Sequence, residues 1–89
     1  MQVGNQIGDQ GAGSFAGVLP QCPALSILDL GRNGIGEQGA GRLAEVLVQC
    51  PALARLDLRN NGDRHNAIGA VGSAKLRASW LGLASDLLL

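Results

Sequence analysis

One nine-residue pattern constrains this chain more than any other feature. Leu25–Asn33 reads Leu-Ser-Ile-Leu-Asp-Leu-Gly-Arg-Asn, with leucine at 25, 28 and 30 and asparagine at 33. The same spacing returns 28 residues later as Leu53, Leu56, Leu58 and Asn61. Alternation at Leu28/Leu30 and Leu56/Leu58 sends each leucine pair to one face of a short strand. The asparagines fall where the chain must turn, and an amide side chain can bond backbone groups that a tight turn leaves unpaired. A pattern that recurs at such a period predicts stacked units, each burying its apolar face against the next.

The register extends well beyond the leucines. Asn5–Gly13 aligns with Asn33–Gly41, and Leu19–Leu25 aligns with Leu47–Leu53, giving two whole copies, 5–32 and 33–60. Between asparagine and Cys-Pro each copy carries a helical face. It is Ala40, Leu43, Ala44 and Leu47 in the second copy and Ala12, Phe15, Ala16 and Leu19 in the first. Asp9 and Glu37 stand at the expected helix starts, where the partial positive charge favours an acid. Pro23 and Pro51 are expected to stop each helix and release the chain into the next strand. Fourteen glycines recur in register with the repeat and so read as structural.

The third copy, 61–89, is degenerate. Ile68, Gly69, Gly72 and Leu76 match Ile35, Gly36, Gly39 and Leu43 at an offset of 33, which implies five extra residues in the turn. Arg77 stands where Ala44 faced the core, and Trp80 stands where Leu47 did. A helix is expected over 68–81, followed by an irregular tail that serves as a makeshift cap. Leu87-Leu88-Leu89 invites burial or contact with another chain.

Composition fits one domain, 1–89, with a core of leucine, isoleucine, valine and alanine; Phe15 and Trp80 are the only aromatics. Seven basic and seven acidic side chains cancel, so neither nucleic acid nor a membrane surface is an expected partner. No apolar run is long enough to span a bilayer, and Met1–Asn5 does not begin like a secretory leader. The expected setting is therefore cytoplasmic. Cys22 and Cys50 occupy equivalent positions 28 apart; stacking does not exclude a disulfide, but two buried thiols acting as small hydrophobes are expected. Two cysteines without further ligands make no zinc site.

Leu-x-x-Leu-x-Leu-x-x-Asn followed by Ile-Gly-x-x-Gly-Ala and an alanine/leucine helix, at a period of 28, resembles the ribonuclease-inhibitor type of leucine-rich repeat. Similar repeats occur in the C-terminal regions of NOD-like receptors and in Ran GTPase-activating proteins. The resemblance covers about residues 2–61 well and 68–76 weakly. It implies an α/β fold: a short solenoid, coiled right-handed, with a parallel sheet on the concave side and helices outside. It also implies binding of proteins or microbial ligands through the concave strands.

On that face the candidate protein-binding residues are Ile27, Asp29 and Arg32 in one repeat and Arg55, Asp57 and Arg59 in the next. Arginine is enriched at binding hot spots. Asp29 and Asp57 are expected side by side on adjacent strands, ~4.8 Å apart. Trp80, Leu87, Leu88 and Leu89 are candidates for an end cap or for self-association, the latter giving a homo-oligomer through uncapped ends. Gly34–Gly39 spells the glycine spacing of a dinucleotide fingerprint, with Asp57 18 residues beyond Gly39. Yet Gly36 and Gly39 recur as Gly8 and Gly11 and as Gly69 and Gly72, as turn glycines of a repeat should. His65 stands alone in the inserted turn. No catalytic set, metal cluster or cofactor motif is read, so the expected function is a non-enzymatic protein-interaction module. The alternative is a self-associating fragment with a mainly structural role.

Overall fold

The computed structural model describes residues 7–59 and 68–89. Three helices alternate with three strands: α1 (Gly8–Val18), β1 (Ile27–Asp29), α2 (Glu37–Leu47), β2 (Arg55–Asp57), α3 (Gly69–Ser79) and β3 (Leu87–Leu88). Short 3₁₀ turns at Leu19–Gln21 and Ala84–Asp86 lead towards β1 and into β3. The strands form one parallel sheet in the order β1-β2-β3. Parallel neighbours need a crossover, and here a helix supplies each one. Ile27 pairs with Arg55, Leu28 with Leu56 and Asp29 with Asp57, so the 28-residue period of the sequence is the register of the sheet. This is the mixed helix and parallel-strand architecture of an α/β fold.

The core lies between sheet and helices. Leu28, Leu30, Leu56 and Leu58 enter it from the strand segments and are all buried. Ala40, Leu43, Ala44 and Leu47 enter from α2, the face expected from their spacing. In α1, Ala12 and Ala16 are buried while Phe15 is only half-buried, and Leu19 is buried just beyond the helix end. Each fully buried leucine contributes ~2 kcal/mol relative to exposure, so these leucines dominate the cohesion of the sheet–helix layer.

Helices pack α1 on α2 and α2 on α3. Glycine sets how closely. A Cβ on Gly39 would stand 2.7 Å from Asp9 Oδ1, 2.8 Å from Ile35 Cγ2 and 3.0 Å from Ala12 Cβ. At the equivalent Gly72 a Cβ would stand 3.2 Å from Ala40 Cβ. The Asp9, Ala12 and Ala40 contacts cross from one helix to its neighbour, so the recurring glycine is a spacing element of the stack.

Asn33 performs the turn role expected of it. It is fully buried, and its Nδ2 donates to the carbonyls of Leu30 (3.0 Å) and Gly31 (3.2 Å). Its backbone carbonyl accepts the Gly8 N–H at 2.8 Å, tying the turn to the start of α1. Gly34 follows at φ +68°, a left-handed conformation that suits glycine. Asn5, Asn60, Asn61 and the His65 insertion lie outside the described residues.

The helices stop earlier than Pro23 and Pro51 imply. α1 ends at Val18 and α2 at Leu47. Cys-Pro sits in the following turn, which closes in the same way in both repeats. The Cys22 and Cys50 N–H groups donate to the Leu19 and Leu47 carbonyls, and the cysteine carbonyls accept from Leu25 and Leu53.

The third copy departs most from expectation. Its helix is Gly69–Ser79, and the tail is not irregular: Leu87 and Leu88 form β3, paired with Leu56 and Asp57 of β2. The Leu58 N–H donates to the Leu88 carbonyl at 2.7 Å, continuing the ladder. Leu87-Leu88-Leu89 is thus a third strand segment, with Leu87 and Leu89 packed against the core and Leu88 between them. Arg77, in the position of Ala44, is exposed. Trp80 is half-buried against the core; its indole lies over Gly82 and its Nε1 donates to the Leu83 carbonyl at 2.7 Å.

Candidate functional site

Burial alternates along the two longer strands as the sequence requires. Ile27 is 53% exposed, Leu28 is buried and Asp29 is half-buried. Arg55 is exposed, Leu56 is buried and Asp57 is half-buried. Strand pairing assembles the non-leucine positions into rows across the face turned away from the core. Ile27 and Arg55 are level, and Asp29 and Asp57 are level. β3 extends the second row, because Leu88 pairs with Asp57. Asp86 precedes β3 as the last residue of the 3₁₀ turn Ala84–Asp86. Sequence reasoning treated Leu88 as one of three equivalent leucines. The available signal was Leu87-x-Leu89, which repeats Leu56-x-Leu58 with alanine, at Ala84, in place of the first leucine.

The two aspartates share a backbone role and differ in charge environment. Asp29 Oδ1 accepts the Gly31 N–H at 3.0 Å, and Asp57 Oδ1 accepts the Arg59 N–H at 3.0 Å. Each carboxylate thereby braces the turn that follows its strand. Asp57 then gains a guanidinium: Arg59 Nε donates to Oδ1 at 3.1 Å and Nη2 to Oδ2 at 2.9 Å, a bidentate bridge. Burial pushes the Asp57 carboxyl up, but the Arg59 side-chain and backbone hydrogen bonds outweigh it and hold the group below its ordinary range. Arg55 adds to the lowering, and Arg59 is raised in return by its bond to Asp57. Two residues beyond Asp29 the chain carries Gly31, so Asp29 has no such guanidinium; among the described residues it forms no ion pair.

Arg32 follows β1 on the exposed side at φ +64°, the one described non-glycine residue in the left-handed region. That conformation costs a side-chain-bearing residue ~1 kcal/mol or more. The sequence reading put Arg32 on the candidate face; the structure shows it exposed, in a costly backbone conformation.

Trp80, Leu87 and Leu89 are drawn into the packing at the β3 end of the stack, and Leu88 faces the other way. Leu81 and Leu83 are 59% and 71% exposed beside the Trp80 turn. Cys22 and Cys50 are free thiols, Cys50 buried and Cys22 half-buried. Burial, then the neighbouring Cys22, push the Cys50 thiol up.

The glycine fingerprint at Gly34–Gly39 resolves structurally. The amides a pyrophosphate would need at the start of α2 are already engaged. Gly36 and Gly39 N–H groups donate to Asp9 Oδ1 at 2.7 and 2.8 Å. An acid of the preceding repeat fills that anion position from within the chain. A polar groove of about 850 Å³ runs over the helices, lined by Asp9, Ser14, Glu37, Arg42, Glu45 and Lys75 among others. Apolar walls of the kind that hold small molecules are missing from that lining. Among the described residues no three or more metal-ligating side chains converge, and no helix is long and apolar enough to cross a membrane.

No curated protein and no solved structure matches the chain. A family model described as Leucine Rich repeat matches residues 3–16 and 21–44. Together with the strand–turn–helix units stacked in register, that match supports a leucine-rich repeat protein, and such repeats typically mediate contacts between proteins rather than catalysis.

Proposed function

We propose that the chain is a cytoplasmic, non-enzymatic protein-interaction module of the ribonuclease-inhibitor type, a short right-handed solenoid that binds a protein through the concave face of its strands. The repeats resemble those of NOD-like receptors in the same sense. The observation that carries the reading is the row structure of the exposed strand face. Ile27 and Arg55 form one row and Asp29, Asp57 and Leu88 the next. Apolar and charged groups alternate there on a rigid backbone, and Arg32 and Arg59 stand at its edge. Mixed apolar and arginine-bearing surfaces of this kind suit protein partners.

The test uses a photo-crosslinking residue placed at 27 or 88, with position 38 on α2 as the helix-side control. A defined protein adduct from the strand positions, absent from position 38 and lost on Arg55→Glu, is the expected result. Adducts formed only from position 38 would overturn the reading.

A second reading rests on Leu81 and Leu83, the exposed leucines beside Trp80. In it the β3 end of one copy meets another copy, and the module is a homo-oligomer. Light scattering on the folded chain separates the two, because Leu81→Ser with Leu83→Ser would return a dimer to monomer and leave strand-face binding intact.

A further inference from the structure

The strand face carries the same aspartate twice, once with a guanidinium and once without. Asp57 and Asp29 are level in the sheet and 28 residues apart in sequence. Both accept the N–H of the residue two positions on, at 3.0 Å in each case. The two carboxylates therefore make the same turn hydrogen bond at the same distance. At Asp57 the residue two positions on is Arg59, whose guanidinium closes a bidentate bridge. At Asp29 it is Gly31, and the described residues place no cation in contact with the carboxylate. The chain thus displays how this carboxylate takes a guanidinium, and leaves one copy of the arrangement half-built.

We propose that Asp29 receives an arginine from the bound partner, seated as Arg59 is seated on Asp57, with an apolar partner residue beside it on Ile27. The proposal rests on the strand face being the binding face, and adds the chemistry of what it recognises. Three observations favour this occupant. Charge complementarity calls for a cation, since Asp57 is bridged by Arg59 while Asp29, which feels Arg59 only through space, has no bridge among the described residues. Planar geometry selects arginine over lysine, because the template bridge uses two parallel N–H donors. Ile27, 53% exposed, precedes Asp29 by two residues on the same strand and therefore on the same face, an anchor for an apolar neighbour of the arginine. The turn bond from Gly31 also holds the Asp29 carboxylate in place before binding, which lowers the ordering cost of the bridge.

The probe is a random dodecapeptide library displayed on phage, selected on the full chain and in parallel on Asp29→Asn and Arg55→Glu. The amide introduced by Asp29→Asn retains an oxygen for the Gly31 N–H, so this variant keeps the turn and loses only the charge. Wild-type selection is expected to enrich peptides with one arginine next to an apolar residue, and Asp29→Asn to lose that enrichment. A selected peptide resynthesised with citrulline for the arginine should bind roughly tenfold more weakly, the ratio one charge-assisted hydrogen bond supplies. Peptides that bind Asp29→Asn as well as wild type but fail on Arg55→Glu would overturn the arginine inference and leave the strand-face reading standing. Peptides indifferent to both substitutions, or no enrichment at all, would overturn both.

Discussion

Replacing Asp9 by alanine should destabilise α2, a helix that begins 28 residues away. Asp9 belongs to the first turn of α1, yet its Oδ1 accepts the N–H groups of Gly36 and Gly39 at 2.7 and 2.8 Å. α2 has no side-chain cap of its own at Gly36. Loss of an N-cap acceptor ordinarily costs ~1 kcal/mol. Here two amides lose their partner, and the gap is tight enough that a Cβ on Gly39 would meet Oδ1 at 2.7 Å. A total of ~2 kcal/mol is expected, a large share of the ~5–10 kcal/mol that holds a domain of this size together. In a thermal melt followed by circular dichroism that loss lowers Tm by ~8–15 °C. Asp9→Asn, which keeps an acceptor oxygen and drops the charge, should cost ~0.5–1 kcal/mol. The alanine variant also opens the anion position, so added sulfate should restore more stability to it than to the wild type. A loss below ~0.5 kcal/mol for Asp9→Ala, with no difference in sulfate response, would refute the reasoning, because such a value is what an exposed acid with no structural role gives.

Three further outcomes follow from the packing and the strand face. Gly39→Ala should destabilise by ~1–2 kcal/mol, overpacking against Ala12 and Ile35 exceeding the gain in helix propensity, whereas Gly17→Ala, with open space around its Cβ, should stabilise by ~0.5–1 kcal/mol; paired urea titrations check the sign of both. The Asp57 carboxyl is held below its ordinary value of 3.8, so its contribution is present above that value and is lost as pH falls through the depressed one; Arg59→Gln should flatten this acid limb of stability, by a small amount because Arg59 is exposed and screened. Leu87→Ser should cost ~1–2 kcal/mol because Leu87 packs against the core, while Leu88→Ser, on the opposite face, should stay within ~0.5 kcal/mol and weaken only binding, as denaturation and peptide titration would show.

How much of this was legible in the sequence depends on the scale of the interaction. Leu28, Leu30, Leu56 and Leu58 announced the strands, and the 28-residue offset announced their register, because both are periodic and periodicity survives without coordinates. Asn33 was legible for the same reason. The reach of Asp9 into the next repeat was not, since its position in the first turn of α1 already had a local explanation. The roles of Gly36 and Gly39 were half-visible: their recurrence argued against a phosphate loop, but the occupant of their amides could be found only in three dimensions. β3 was missed because Ala84 stands at the pattern position where the other copies have their first leucine. The strand offset is 31 there and the helix offset 33, so no single period aligns the third copy. The bidentate Arg59 bridge was unforeseen as well, because side-chain pairing two residues apart depends on the bend after the strand rather than on composition.

The end of α3 sets a direction on anything built from this chain. Ala40 touches α3 across the helix pair, and Ala44 lies one turn further along the same face of α2. At the corresponding positions of α3 stand Ser73 and Arg77, the latter exposed. A further unit laid against α3 in the same manner would have to strip water from that guanidinium or bring an acid to meet it. Arg77 therefore acts as a selector at that end of the stack. It leaves the units already joined undisturbed, and it favours against α3 a surface that carries a matching acid.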